Sequence, residues 1–299
     1  MGDVLAGMHS AWEFDTDSVI IRFERGMRTP KLFHVLRERR VPYEALAGVE
    51  LTPGARRGTL VLRAVLRPGA DPLLEAAAGQ LKEASDPYRL VLPAERETLA
   101  DYYAGELRAV LGPDAGHPAE RHLVAAPEAP LQFKAYDGKA AFDGSTVSFR
   151  WFRTGASSAK WKAGDQHFDV TDLEGVEWRS PDVFDGYLRL LRRGADSRDA
   201  APGEADQDPA AVVFGLGYGI VHESLPLAAA VLGAVRRARD STGPAGVGTA
   251  ALSRVAPGAV RADPADIAER IHHLGRLHDA GLLTDEEFSV KKADLLAEL

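Results

Sequence analysis

The residues Gly215, Leu216, Gly217, Tyr218, Gly219 and Ile220 stand between two apolar runs, the setting in which a glycine-rich turn cradles a dinucleotide pyrophosphate. The third glycine comes one residue too early for that turn, and no alternation of strand and helix surrounds it. A tight connector that uses glycine for left-handed backbone fits better, and no cofactor is expected. The nine histidines offer no ligand set. His272, His273 and His278 lack the i, i+4 pairing that puts two imidazoles on one helical face, and His117 and His122 fall in a Pro- and Ala-rich stretch. Neither a nucleophile elbow, nor a phosphate loop, nor a carboxylate pair is present, so no catalytic or metal residue is assigned and a non-enzymatic role is expected.

Charge supplies the remaining chemistry. Residues 22–40 hold seven basic side chains (Arg22, Arg25, Arg28, Lys31, Arg37, Arg39, Arg40) against Glu24 and Glu38, in a chain of net charge -8. Residues 150–162 hold Arg150, Arg153, Lys160 and Lys162 with no acid, interleaved with Trp151, Phe152 and Trp161. Eight of these, Arg22, Arg25, Arg28, Lys31, Arg150, Arg153, Lys160 and Lys162, are candidates for anion binding. The plainer account, favoured on the sequence, is a solvated end of the fold whose arginines pair with nearby acids and whose tryptophans are core. The acidic whole disfavours nucleic acid as a partner.

The elements that carry both stretches are written twice. VPYEALAGVEL at 41–51 returns as FDVTDLEGVEW at 168–178, with Leu46, Gly48, Val49 and Glu50 recurring as Leu173, Gly175, Val176 and Glu177. A spacing of about 127 residues is far longer than a solenoid repeat and means domain duplication. Further echoes are Phe14 and Phe142, Val19 and Val147, Arg22 and Arg150, Gly58 with Leu60 and Gly186 with Leu188, and Asp86-Pro87 and Asp208-Pro209.

In the first unit, 1–111, a hairpin is expected over 12–23, strands at 40–43, 48–51, 58–66 and 88–92, and a closing helix over 95–111. Residues 112–130 read as a linker. The second unit, 131–239, repeats the order and ends in a helix with Ser224 as N-cap and Pro226 in its first turn. The run LPLAAAVLGAV at 225–235 is too short for a bilayer and reads as a buried helix.

The phrase VPYEALAGVEL, the strand that opens with Gly, and the helix after the last strand resemble the bacterial pleckstrin-homology-like domains. The tandem arrangement resembles proteins of high-GC bacteria that carry two of them. The resemblance implies an α+β, mainly β fold: two tandem barrels of about seven bent strands, each capped by its C-terminal helix. In pleckstrin-homology domains an early inter-strand loop of the basic kind seen here can hold phosphorylated headgroups.

Residues 240–262 are rich in Gly, Ala and Pro and read as a flexible tether. In the tail, 263–299, Ile267, Ile271, Leu274 and Leu277 form a helical stripe, Leu282 and Leu283 turn the corner, Thr284 and Glu287 make a capping box, and Phe288, Leu295 and Leu296 line a second helix. GLLTDEEFSVKKADLL closely resembles the SHOCT, or short C-terminal, domain, which implies oligomerisation through Ile267, Ile271, Leu274, Leu277, Leu282, Leu283, Phe288, Leu295 and Leu296. Two helices this small bury too little surface to offset an ordering cost of about 1 to 2 kcal/mol per residue, so they need a partner surface, with a sister chain favoured over docking on the chain's own two domains.

The expected function is therefore a non-catalytic, homo-oligomeric scaffold that presents two domains to protein or peptide partners, with peripheral binding of anionic lipid through 22–40 and 150–162 as the alternative. The chain has no cysteine and no signal-like start, which fits the cytoplasm, with the inner membrane face as a peripheral site.

Overall fold

A computed structural model describes residues 3–183, 185–194 and 205–242. The nine proposed oligomerisation residues lie outside the described residues, as do residues 243–262 of the expected tether, whose first three residues belong to the last helix.

The first copy runs β1 (Asp3–Ala6), β2 (Ser10–Phe14), β3 (Ser18–Phe23), α1 (Lys31–Leu36), β4 (Glu38–Pro42), β5 (Leu46–Pro53), β6 (Thr59–Leu66), α2 (Pro72–Ala77), β7 (Arg89–Pro93) and α3 (Glu97–Ala109). The second runs β8 (Leu131–Lys134), β9 (Gly138–Phe142), β10 (Thr146–Trp151), α4 (Ser158–Ala163), β11 (Gln166–Asp169), β12 (Leu173–Arg179), β13 (Tyr187–Arg192), β14 (Ala211–Val213) and α5 (Val221–Thr242). Seven strands and a final helix thus occur twice. Each copy has an antiparallel four-stranded sheet, β1-β2-β3-β4 or β8-β9-β10-β11, and a three-stranded one, β5-β6-β7 or β12-β13-β14.

The expected closed barrel is not formed. In the first copy the two sheets meet through the isolated bridge of Met8 with Val91, and otherwise pack face to face around Leu5, Trp12, Ile21, Leu62 and Leu90. β1 and α1 were absent from the sequence expectation, because four residues alternate too briefly to register and α1 hides inside a basic run.

Register shows how faithful the duplication is. Leu46 faces Leu66 and Gly48 faces Val65 across a bulge, and Leu173 faces Arg192 and Gly175 faces Leu191 across the same bulge. Glu50 then pairs with Arg63 as Glu177 pairs with Arg189. This places Leu62, not Leu60, opposite the role of Leu188, and corrects the Gly58/Gly186 echo by two residues, since the connecting turns differ in length. The arginines carry a repeated triad: Arg63 lies 3.7 Å from Glu50 and 3.2 Å from Asp86, and Arg189 lies 3.3 Å from Glu177 and 3.1 Å from Asp208.

The first copy keeps a core of its own between its sheets, but its α1 and α2 join the core of the second. The apolar stretch 225–235 of α5 is buried save for the half-buried Leu232, because α5 packs on β12 of its own copy and on α1 and α2 of the first. Leu32, Phe33, Leu73, Ala76 and Ala77 accordingly join Phe149, Trp178, Leu225 and Val231 in a single cluster. Gln80 grips the edge of β12 like a strand residue: its amide nitrogen donates to the Trp178 carbonyl at 3.0 Å and its oxygen accepts the Ser180 N–H at 2.9 Å.

α5 begins at Val221, three residues before the expected cap. Ser224 instead lies buried, accepting from the Trp178 indole at 3.0 Å and donating to the Gly219 carbonyl at 2.7 Å. The connecting segment 112–130 is docked rather than free. Ala119 and Val124 are buried, the N–H groups of Leu123 and Val124 donate to the Ala70 carbonyl, and His122 lies 2.8 Å from Glu75.

Candidate functional site

Three of the seven basic residues in 22–40 are spent on the fold. Arg39 is buried and donates to Asp71 at 2.5 Å, to the Tyr88 hydroxyl at 2.9 Å and to the Ala125 carbonyl at 2.8 Å. Burial holds the Tyr88 hydroxyl well above its ordinary value, so it stays a neutral donor to Asp71. Arg40 pairs with Asp15 and Asp17, and Arg22 pairs with Glu13 and with Glu38. Arg25, Arg28, Lys31 and Arg37 form no ion pair among the described residues, and all four are exposed.

Two elements and a turn position them. The Glu24 N–H donates to His9, Thr29 closes a turn on Gly26, and Pro30 leads into α1, whose Leu32 and Phe33 are buried. Phe33 stacks on Phe23 at 4.5 Å, and over this pair opens a cavity of about 260 Å³ lined by Arg22, Phe23, Arg25, Phe33, His34, Arg37 and Glu38. Arg37 ends α1 at φ 58° and donates its N–H to the Phe33 carbonyl at 2.9 Å. Positive φ costs a residue with a Cβ energy that glycine avoids, and the second copy has Gly164 at φ 70° at this place. The first copy keeps a guanidinium where glycine would be easier.

The second copy is built differently at the same positions. Phe14 faces Val19 and Phe142 faces Val147, so Phe23 and Trp151 correspond, as do Phe33 and Lys160 at the same turn of α1 and α4. Lys160 was expected among exposed anion-binding residues, and this is corrected: it is 0% exposed, with its ammonium 2.5 Å from Asp137 and 5.0 Å from the Trp151 ring centroid. Burial pushes Lys160 down and Asp137 up, and each is opposed by the charge of the other. The Trp151 indole donates to the Gly164 carbonyl at 2.7 Å, so the larger ring reaches across the space that the first copy leaves beside Arg37. Arg150, Arg153 and Lys162 are exposed, and so is Trp161 at 53%, while Trp151 is core.

A larger cavity, about 600 Å³, lies where α1 meets the start of α5, and the glycine-rich turn lines it with Lys31, Asp182 and His222. The turn is shaped by its own packing. Gly219 sits at φ 64°, and a Cβ there would lie 2.1 Å from the Phe214 ring. The Gly219 N–H donates to the Lys134 carbonyl at 2.7 Å, so these glycines close a corner of the second copy. Burial lowers His222, with Lys31 and His34 adding to the effect. Among the described residues no group of three or more His, Asp or Glu side chains is arranged to hold a metal ion, and no helix is long and apolar enough to cross a membrane.

The structural asymmetry between the two basic stretches was hidden from sequence reasoning. Both basic stretches look alike in composition, and the signal that separates them is Arg37 against Gly164 with Phe33 against Lys160.

No curated protein matches the chain. Residues 269–296 match the model of the Short C-terminal domain, SHOCT. The seven-strand copies coincide with two matches, at 12–108 and 140–232, to the Domain of unknown function DUF4429, and the chain belongs to that family as a tandem pair.

Proposed function

We propose that the chain is a non-catalytic binding protein in which two pleckstrin-homology-like domains form one body and the SHOCT domain joins several such bodies. Seven strands in a four-plus-three arrangement, closed by a C-terminal helix, support the pleckstrin-homology-like reading. The observation that carries the assembly reading is the SHOCT match on a segment too small to bury a core of its own. Linking bodies in this way raises avidity for a repeated partner without any new contact. Native mass of the full chain and of a chain ending before Asp263 tests it. A multimer that becomes a monomer on truncation is expected, and equal masses would overturn the reading.

The anionic alternative gains from a specific observation, the retention of Arg37 at positive φ beside Arg25 and His34. In this reading the small cavity of the first copy takes a phosphate-like group between guanidinium donors. Calorimetry with inorganic pyrophosphate tests it. Binding that weakens as salt rises, and that is lost in Arg25→Glu with Arg37→Glu, is expected. Indifference to both changes would remove it.

A further inference from the structure

The turn between β3 and α1 ends in a methionine with nothing to pack on. Met27 is 104% exposed, between Arg25 and Arg28, with Lys31 four residues on at the start of α1. Its base is held firmly: the Thr29 N–H donates to the Gly26 carbonyl at 3.1 Å, and the buried Thr29 hydroxyl lies 3.2 Å from His9 Nδ1. A lone exposed apolar residue needs no explanation in general. This one caps a hydrogen-bonded turn whose flanking cations have no ion pair among the described residues, and a dissolved anion has no use for an apolar apex. A lipid surface uses both, since headgroups attract the cations and the interface takes up the thioether. The second copy is built differently: at the same turn it has Thr154 and Gly155, Lys160 is turned inward to Asp137, the Trp151 indole closes the space beside Gly164, and the exposed ring of its basic stretch, Trp161 at 53%, stands half covered on α4 and not at a loop apex.

We propose that the first copy alone docks on an anionic bilayer, with Met27 entering the boundary between headgroups and acyl chains and Arg25, Arg28 and Lys31 lying among the headgroups. Each chain then carries one membrane contact, so multivalency comes from joining chains rather than from the duplication. This rests on the anionic reading of the first copy.

The test is co-sedimentation of the full chain with vesicles of phosphatidylcholine alone and of phosphatidylcholine mixed with phosphatidylglycerol, beside pyrophosphate calorimetry. Wild type is expected to pellet only with the mixed vesicles. Arg25→Glu with Arg28→Glu should weaken this about tenfold or more. Met27→Ser, which removes the apolar group without adding charge, should also weaken vesicle binding about tenfold while leaving pyrophosphate binding unchanged. Arg153→Glu with Lys162→Glu should stay within about twofold of wild type. Full vesicle binding by Met27→Ser, or an equal loss in the second-copy pair, overturns the proposal. If pyrophosphate binds and vesicles do not, the bilayer falls and the anion site stands; if neither binds, both fall.

Discussion

Phe33 and Lys160 answer the same structural need with opposite chemistry. In the first copy two rings stack, and in the second an ammonium lies on an indole and is neutralised by Asp137, which also accepts the Val213 N–H at 2.9 Å. Removing one partner of a buried pair strands the other charge. Lys160→Met should therefore cost about 3 to 5 kcal/mol in urea unfolding, and Asp137→Asn in the same chain should restore part of it, because the amide oxygen still accepts from Val213. A second prediction concerns Glu75. The His122 hydrogen bond, against partial burial and with help from Arg236, holds its carboxyl below the ordinary 4.5. Depression of an acid means that its stabilising share is fully present above the ordinary value and is lost as pH falls through the folded one. The melting-temperature gap between wild type and Glu75→Gln should be full above pH 4.5 and close on further acidification.

Single elements differ in how plainly the sequence announces them. The hairpin of β2 and β3, the long β6 and the run at 225–235 were all legible, because alternation, the Asp15-Thr16-Asp17 turn and all-round apolarity are local properties. The start of α5 was misjudged for a tertiary reason. Ser224 resembles a cap, yet Trp178 and the Gly219 carbonyl claim its hydroxyl, and the turn before it supplies the helix entry. The basic face was legible as charge, whereas its division into spent and unspent arginines depends on Glu13, Asp71 and Asp15, which only the pairing of strands brings near. Gln80 had no sequence signal at all. Its two hydrogen bonds to the β12 edge give a third prediction: Gln80→Ala should destabilise by about 1 to 3 kcal/mol, read from the shift of a denaturant midpoint at constant slope.

At the scale of the body formed by 3–242, the shared cluster makes the two copies one cooperative unit. A chain ending at residue 242 should unfold in a single transition, with tryptophan fluorescence and circular dichroism coinciding; two separated transitions would contradict the shared core. The duplication was readable from one repeated phrase, but the packing of one copy on the other was not, since it joins α1 and α2 to a helix more than a hundred residues away. That packing is also one-directional: a face of the first copy meets a different face of the second. Surfaces related in this way could in principle add module after module into a fibre. The place on β5 that corresponds to Ser180 is Pro53, whose ring nitrogen has no hydrogen to offer an incoming glutamine. A glutamine docking on β5 as Gln80 docks on β12 would therefore lose one of its two hydrogen bonds, so the two edges are not interchangeable.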